Sequence, residues 1–329
     1  MSRLQLKWAL ALSVPVLFLL ALTSGPSTLP LGSALKDVWQ GTDSLNAIIL
    51  LELRLPRAAL AMLVGAMLAL SGAALQGLLR NPLASPDILG VSQMAALAAV
   101  IVLYFGFSSI AWFVLPVAAI AGAGLAVLLM FSLNRRLATP GTLILSGVAI
   151  SAVAGSLIAM ALNFAPNPYA MQEIYFWLLG SVANRSQAEL WLSLPFMLTG
   201  TVLIWRQRTF LDALSLGEDT AQSLGFDIRR SSRQLVLGAA CCIGACVAVS
   251  GSIGFVGLVV PHVLRPLVKA QPSRLVLWCL PGGAVLVMLA DLAVQALPGA
   301  QELQLGVLTS ALGGPFFLYL LFRNREWFL

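Results

Sequence analysis

Long apolar runs, separated by short polar or proline-glycine punctuation, follow one another from end to end of this chain. Each holds about 20 residues, enough to cross a bilayer as an α-helix. Reading the runs and their breakers predicts ten spans, near residues 8–24, 57–78, 88–106, 110–133, 141–164, 188–205, 233–253, 257–268, 275–297 and 305–322. The first follows Arg3 and Lys7 as a secretory leader would, but the many spans behind it favour an uncleaved helix. Two stretches depart from the pattern. Residues 257–269 are short and carry Pro261 and Pro266, which predicts a half-length or broken helix. Such backbone is tolerated at membrane depth only where protein or a water-filled cavity satisfies it. Residues 169–180 follow Pro166 and Pro168 and set Met171, Ile174, Tyr175 and Leu178 at helical spacing. That spacing predicts a short amphipathic helix folded back towards the outer mouth, or one lying on the membrane surface.

Composition agrees with the pattern. Apolar residues make up 59% of the 329, charged residues 10%, and mean hydropathy is +0.93, which excludes an ordinary soluble protein. No polar stretch is long enough for a second domain, so residues 1–329 read as one all-α membrane domain. The charge sets topology. With the N-terminus inside, only Lys36, Arg54, Arg57 and Arg185 of the 19 lysines and arginines fall outside, which predicts that both termini are cytoplasmic. The net charge of +6 therefore calls for no nucleic acid.

Candidate chemistry is sparse. Cys241, Cys242, Cys246 and Cys279 lie in apolar runs without a CxxC pair and read as core filler. His262 is the only histidine, so no multi-histidine metal site is expected. There is no catalytic constellation and no GxxxxGK[ST] phosphate loop, so any ATP hydrolysis belongs to another protein. Asp291 is the one carboxylate well inside a span, with Gln295 a turn on and no basic residue in the same span. An intramembrane acid is a functional candidate, although an acid held by a neighbouring amide is more often structural.

Two further features concern organisation. Residues 65–72 and 244–251 share the pattern GAxxAxSG at an offset of 179, and the same offset carries Pro82 onto Pro261. In the predicted topology the two copies run in opposite directions, as an inverted repeat requires. Small residues at helical spacing are also common wherever membrane helices pack closely. The longest inner connection, about 206–233, contains a segment, 212–225, in which Ser215 or Gly217 can start a helix. Glu218 and Asp219 suit its first turn, and Gly225 can end it in a left-handed cap. Such a helix suits a cleft on another protein, or lies on its own.

The chain resembles the FecCD/BtuC-type permeases of ABC importers for iron-siderophores, haem and cobalamin. The resemblance rests on Arg54-Leu55-Pro56-Arg57, on the run 81–91 from Asn81-Pro82 to Gly90-Val91, and on Leu216-Gly217-Glu218 with Ala221 and Leu224-Gly225. It rests also on the run 251–262 ending in Pro261-His262, followed by Arg265, and on Gly306 to Thr309 with Gly313 to Phe317. It implies a type II importer permease in a bacterial inner membrane, with an inverted repeat. Two permease subunits, identical or homologous, would pair about a two-fold axis, served by two cytoplasmic ATPases that bind ATP and Mg and by a periplasmic binding protein. The implied ATPase-coupling residues are Asp212, Leu214, Leu216, Gly217, Glu218, Ala221, Leu224 and Gly225. Arg54 and Arg57 would meet acidic residues of the binding protein, the alternative being arginines that anchor the second helix. Thr139, Pro140, Gly141 and Thr142 would form the cytoplasmic gate. Pathway candidates are Asn81, Pro82, Met171, Tyr175, Trp177, Gly251, Gly254, Pro261 and His262.

Three positions depart from the family pattern. Gln295 stands for an arginine that often supports docking, Gln304 for a proline, and Gln93-Met94 for Gly-Ala. No cofactor or metal is expected on the chain itself. The run 81–91 leans towards a ferric siderophore or citrate-like chelate, with haem or cobalamin as the alternative. A proton- or sodium-driven carrier using Asp291 and the broken helices around Pro82 and Pro261 is the reading from another class.

Overall fold

The structure, a computed structural model, describes residues 3–25, 29–42, 44–134, 140–297 and 303–323, and the regular elements among them are helical. Helix α1 (Arg3–Thr23) is followed by two short helices, α2 (Leu31–Trp39) and α3 (Leu45–Ile48). A π-helical stretch, Ile49–Arg54, then joins α3 to α4 (Leu55–Leu78). After the 3-10 turn Pro86–Leu89 come α5 (Val91–Tyr104), α6 (Val114–Leu133), α7 (Pro140–Asn163), α8 (Pro168–Leu179) and α9 (Gln187–Arg206). Two short helices, α10 (Arg208–Ser215) and α11 (Glu218–Ser223), lead to α12 (Ile228–Ser250). Then come α13 (Val256–Leu264) with a 3-10 extension, Arg265–Val268, α14 (Pro272–Ala296) and α15 (Leu305–Arg323). Among the described residues seven helical stretches are long and apolar enough to cross a membrane, and three shorter apolar ones, Val91–Tyr104, Val256–Val268 and Leu305–Tyr319, bring the number to the ten expected.

Side-chain contacts define two ends of the bundle. At one, Arg80 pairs with Glu218, and Asp212 meets Gln271 and Ser273. At the other, Arg54 reaches Leu22 and Thr23, Arg57 meets Asp291, and Gln187 donates to the Leu51 carbonyl. Helix α4 therefore runs towards the first end, whereas α12 starts from it. The first end carries most of the arginines and is called here the basic end; the other is the far end.

Helices α4 and α12 form the centre, each buried around nearly its whole circumference. The helices around them repeat their neighbours in inverted order. Helix α4 packs on α14 as α12 packs on α6, and on α13 as α12 packs on α5. Likewise α5 meets α6 and α7 as α13 meets α14 and α15. This confirms the inverted repeat, α4–α7 against α12–α15, and corrects one piece of the sequence argument. Pro82 sits in the turn after α4, whereas Pro261 lies inside α13, so their shared offset is not a structural equivalence. The echo also diverges at its last position, for Gly72 is mid-helix while Gly251, at φ +66°, ends α12.

The reason for the small residues is steric. A Cβ on Gly65 would overlap the carbonyl of Gly283, and one on Gly283 would overlap the carbonyl of Gly65. A Cβ on Gly244, the repeat-mate of Gly65, would overlap the Ala123 methyl of α6. Lipid supplies no hydrophobic drive for helices to associate, so close van der Waals packing of this kind is a main source of cohesion. Gly283→Ala must push α4 and α14 apart. It should cost about 3 kcal/mol, the upper range for overpacking, and lower the thermal midpoint of the detergent-solubilised protein. Gly314→Ala, where an added methyl meets nothing within 4 Å, should leave that midpoint within error. Equal effects of the two would refute the strut-like role of the glycine pair.

Candidate functional site

The inner connection folds as two helices around a glycine hinge. Gly217 takes φ +119°, where a side chain is strained, and Gly225 ends α11 at φ +87°. Phe210, Leu211, Ala213, Leu214 and Ala221 are buried, which fixes the unit against the bundle, and Phe210 packs on Phe226. Leu216 and Leu224 are left exposed, an apolar pair on the outward side of the hinge. Asp212 faces inward. Its carboxylate accepts from the Ser273 backbone N–H at 2.8 Å and from the Gln271 side chain at 3.1 Å, supplying the cap that the start of α14 lacks. Glu218 accepts from Arg80 at 3.0 Å with both side chains half-exposed.

At the far end the arginines do something the sequence reading did not favour. Arg54 is 7% exposed and donates to the carbonyls of Leu22 and Thr23 at 3.0 and 2.7 Å, closing the end of α1. Arg57 makes a bidentate fork to Asp291 through Nε and Nη2, at 2.9–3.1 Å. Gln295 donates to the second oxygen of Asp291 at 2.7 Å. The predicted span of Asp291 carries no basic residue, as the sequence shows, and the basic partner comes from α4 instead. Both arginines thus form hydrogen bonds within the chain.

Helix α8 is present where expected, capped by Asn167, whose side chain accepts from the Ala170 N–H at 2.8 Å. Its inward face is only in part the predicted one, for Leu178 packs against the core as Ile174 does. Ile174 and Trp177 are buried, whereas Met171 and Tyr175 are exposed. A second stripe, Tyr169, Gln172, Glu173, Phe176 and Trp177, lines an open cavity of 780 Å³ together with Ser181, Arg185 and Gln304, among others. This polar-aromatic stripe has the same i, i+3, i+4, i+7, i+8 spacing as an apolar one, so a search restricted to apolar residues passes over it. The Trp177 indole N–H is buried without a protein acceptor, and Arg185 binds Glu189 at 3.1 Å.

The end of α8 is threaded into the repeat. The Ser181 N–H donates to the Ser250 carbonyl at 2.7 Å, and the Gly306 N–H to the Gly180 carbonyl at 3.0 Å. Gly251 faces the Trp177 carbonyl so closely that no side chain fits. Deeper, Pro86 packs on Gly257, and the Gln76 side chain reaches the Gly257 carbonyl at 3.5 Å. Gly254 faces Ser310 of α15, Pro261 is buried, and His262 lies edge-on to Phe316. Among the pathway candidates, Trp177, Gly251 and Gly254 therefore belong to one neighbourhood. Asn81 and Pro82 form a separate turn in which Asn81 accepts from the Leu83 N–H at 2.9 Å. Of the gate residues, Thr139 and the Pro140 side chain lie outside the described residues. Gly141 is exposed with open space around it, and Thr142 is half-buried.

Comparison with known proteins places this geometry. The profile of the FecCD transport family matches residues 13–323. The vitamin B12 import system permease BtuC of Vibrio cholerae is 40% identical over 96% of this chain and 92% of its own. The hemin transport system permease HmuU of Yersinia pestis is 36% identical over 99% of this chain and 98% of its own. A solved structure described as an inward-facing conformation of a metal-chelate type ABC transporter superposes with a TM-score of 0.86. It is 28% identical and covers 97% of this chain and 99% of its own. An all-helical inverted repeat, a glycine-hinged helix pair at its basic end and a family match across nearly the whole length have one common reading: the chain belongs to the FecCD transport family and is a BtuC-type permease of an ABC importer.

Proposed function

We propose that this permease pairs with a second copy or a homologue to pass a bulky metal chelate from periplasm to cytoplasm by alternating access. The basic end would face the cytoplasm, as the distribution of lysines and arginines supports. There the α10–α11 unit would dock an ATPase that supplies ATP and Mg chemistry, and a binding protein would deliver the chelate at the far end. The observation that carries this reading is the exposed, glycine-hinged helix pair in a chain matched end to end by importer permeases. The ferric-siderophore lean finds no counterpart in the relatives described above, which are named for vitamin B12 and hemin. A chelate of macrocycle size is the substrate class these names support. Uptake assays offering cyanocobalamin, hemin and a ferric hydroxamate to the reconstituted complex separate the three.

Proline cannot take φ +119°, being fixed near −65°. Gly217→Pro should therefore lower ATPase co-purification with the tagged permease at least about tenfold, ~1.4 kcal/mol of docking energy, while the permease remains inserted. An unchanged ATPase ratio would refute α11 as a docking element.

The ion-coupled carrier loses its main support, because Asp291 is held by Arg57 and Gln295. In proteoliposomes with ATPases and binding protein, uptake should require ATP and survive collapse of proton and sodium gradients. Asp291→Asn leaves Arg57 without its carboxylate, a loss worth about 3 kcal/mol when a buried pair is broken. It should reduce the yield of folded permease yet keep the remaining uptake ATP-driven. Gradient-driven uptake abolished by Asp291→Asn would instead establish the carrier.

A further inference from the structure

Helices α4 and α14 touch at two levels in one constant register and are bridged at a third by α10. At the far end Arg57 grips Asp291, and eight residues along each helix Gly65 meets Gly283. Antiparallel helices keep such paired spacings only where they lie nearly straight against one another, and eight residues rise about 12 Å. At the basic end the pair is closed by α10. Leu211 packs against Gly77 of α4, where an added Cβ would stand 3.0 Å from Leu211 Cδ2. Its neighbour Asp212 caps α14 through the Ser273 N–H and also accepts from Gln271. Glu218 of α11 holds Arg80, two residues beyond the end of α4. Helix α10 is thus fastened to both long helices, with α11 tied through Glu218 to the turn that follows α4, and from Gly77 to Arg57 the pair reaches about 30 Å.

We propose that α4 and α14 form a rigid strut that carries displacement of the α10–α11 unit to the Arg57–Asp291 latch at the far end, and that Asp212 is the positioning residue that joins unit to strut. The geometry suits the task. A glycine pair in backbone contact leaves no flexible side chain to absorb a shift, and packed interfaces of this kind move as bodies rather than deform. A carboxylate on two donors at a helix N-terminus resists being pulled away, since its loss would leave the first-turn N–H groups unsatisfied. Coupling between two sites is reciprocal. An event at the far end must then bias the α10–α11 unit by the same route.

The inference rests on the reading of α10–α11 as an ATPase dock, and the test separates the two. The native complex is purified through a tag on this chain, and ATPase content is measured first. Hydrogen exchange is then followed in residues 49–57 and 288–297, with and without ATP and vanadate. In the wild type, trapping nucleotide should change exchange in both far-end segments. Asp212→Ala should cut that response at least threefold while the ATPases stay bound in wild-type ratio. Asp212→Asn keeps an acceptor for Ser273 and should restore most of the response, which a general loss of stability would not do. Missing ATPases in the wild-type complex would sink the docking reading. ATPases present with no far-end response, or a full response in Asp212→Ala, would overturn the strut.

Discussion

Everything in this fold is arranged around the line where α4 and α14 touch without side chains between them. Gly65 and Gly283 each occupy the space in which the other would place a Cβ, so the separation of the two helices is set by backbone atoms. In a soluble protein such a contact would forfeit the burial of larger apolar groups. In a bilayer that loss is small, because lipid solvates a leucine as well as a neighbouring helix does. What close approach gains there is a dense set of dispersion contacts and a fixed distance. In the second repeat Gly244 likewise leaves room for a neighbour, there the Ala123 methyl of α6. With the two central helices tied to opposite partners, α5 and α13 can be short, since their ends are covered by neighbours rather than by lipid.

The irregular segments obey the same constraint. Backbone that leaves the helix inside the bundle has to find partners within the protein. The break between α12 and α13 does so through α8, α15 and the Gln76 side chain: Ser250 accepts from Ser181, Gly180 from Gly306, and Gly257 from Gln76. Cysteine fills gaps where nothing polar is needed, with Cys242 and Cys246 enclosed between α4 and α12 and bearing no disulfide. The ion pair of Arg57 and Asp291 sits where α4 and α14 approach the far end. Gln295 takes up the remaining capacity of the carboxylate there, so neither charge is left to lipid.

Much of this was legible in the residues. Span number, the broken helix at 256–268, the short helix after Pro168 and the glycine-hinged inner unit all follow from apolar period and breakers, which are local signals. The partners of charged groups were not legible. Asp291 looked isolated because its own helix offers no cation, and its partner is 234 residues away in sequence. Arg54 looked like a surface cation because a positive-inside count registers charge but not the carbonyls a guanidinium can reach. The face of α8 was misjudged in part, for a related reason. Moment and period rank residues by hydrophobicity, while Tyr169, Gln172, Glu173, Phe176 and Trp177 are united by the cavity they line. The Pro82–Pro261 coincidence misled because an offset measures sequence distance, and the two repeats have linkers of different length.

The inward commitment of Arg54 and Arg57 bears on how the departure at Gln295 should be understood. A third arginine at that position would add a cation within a turn of Asp291, which one bidentate arginine already occupies. A carboxylate shared between two guanidiniums holds neither in a single fork, and each would be easier to draw outward towards another acid. With glutamine in place, Asp291 receives a neutral donor at 2.7 Å, and Arg57 keeps its carboxylate to itself. Glutamine therefore leaves the junction between α4 and α14 with one guanidinium and one neutral donor on a single carboxylate, a tighter pairing than two competing cations would give.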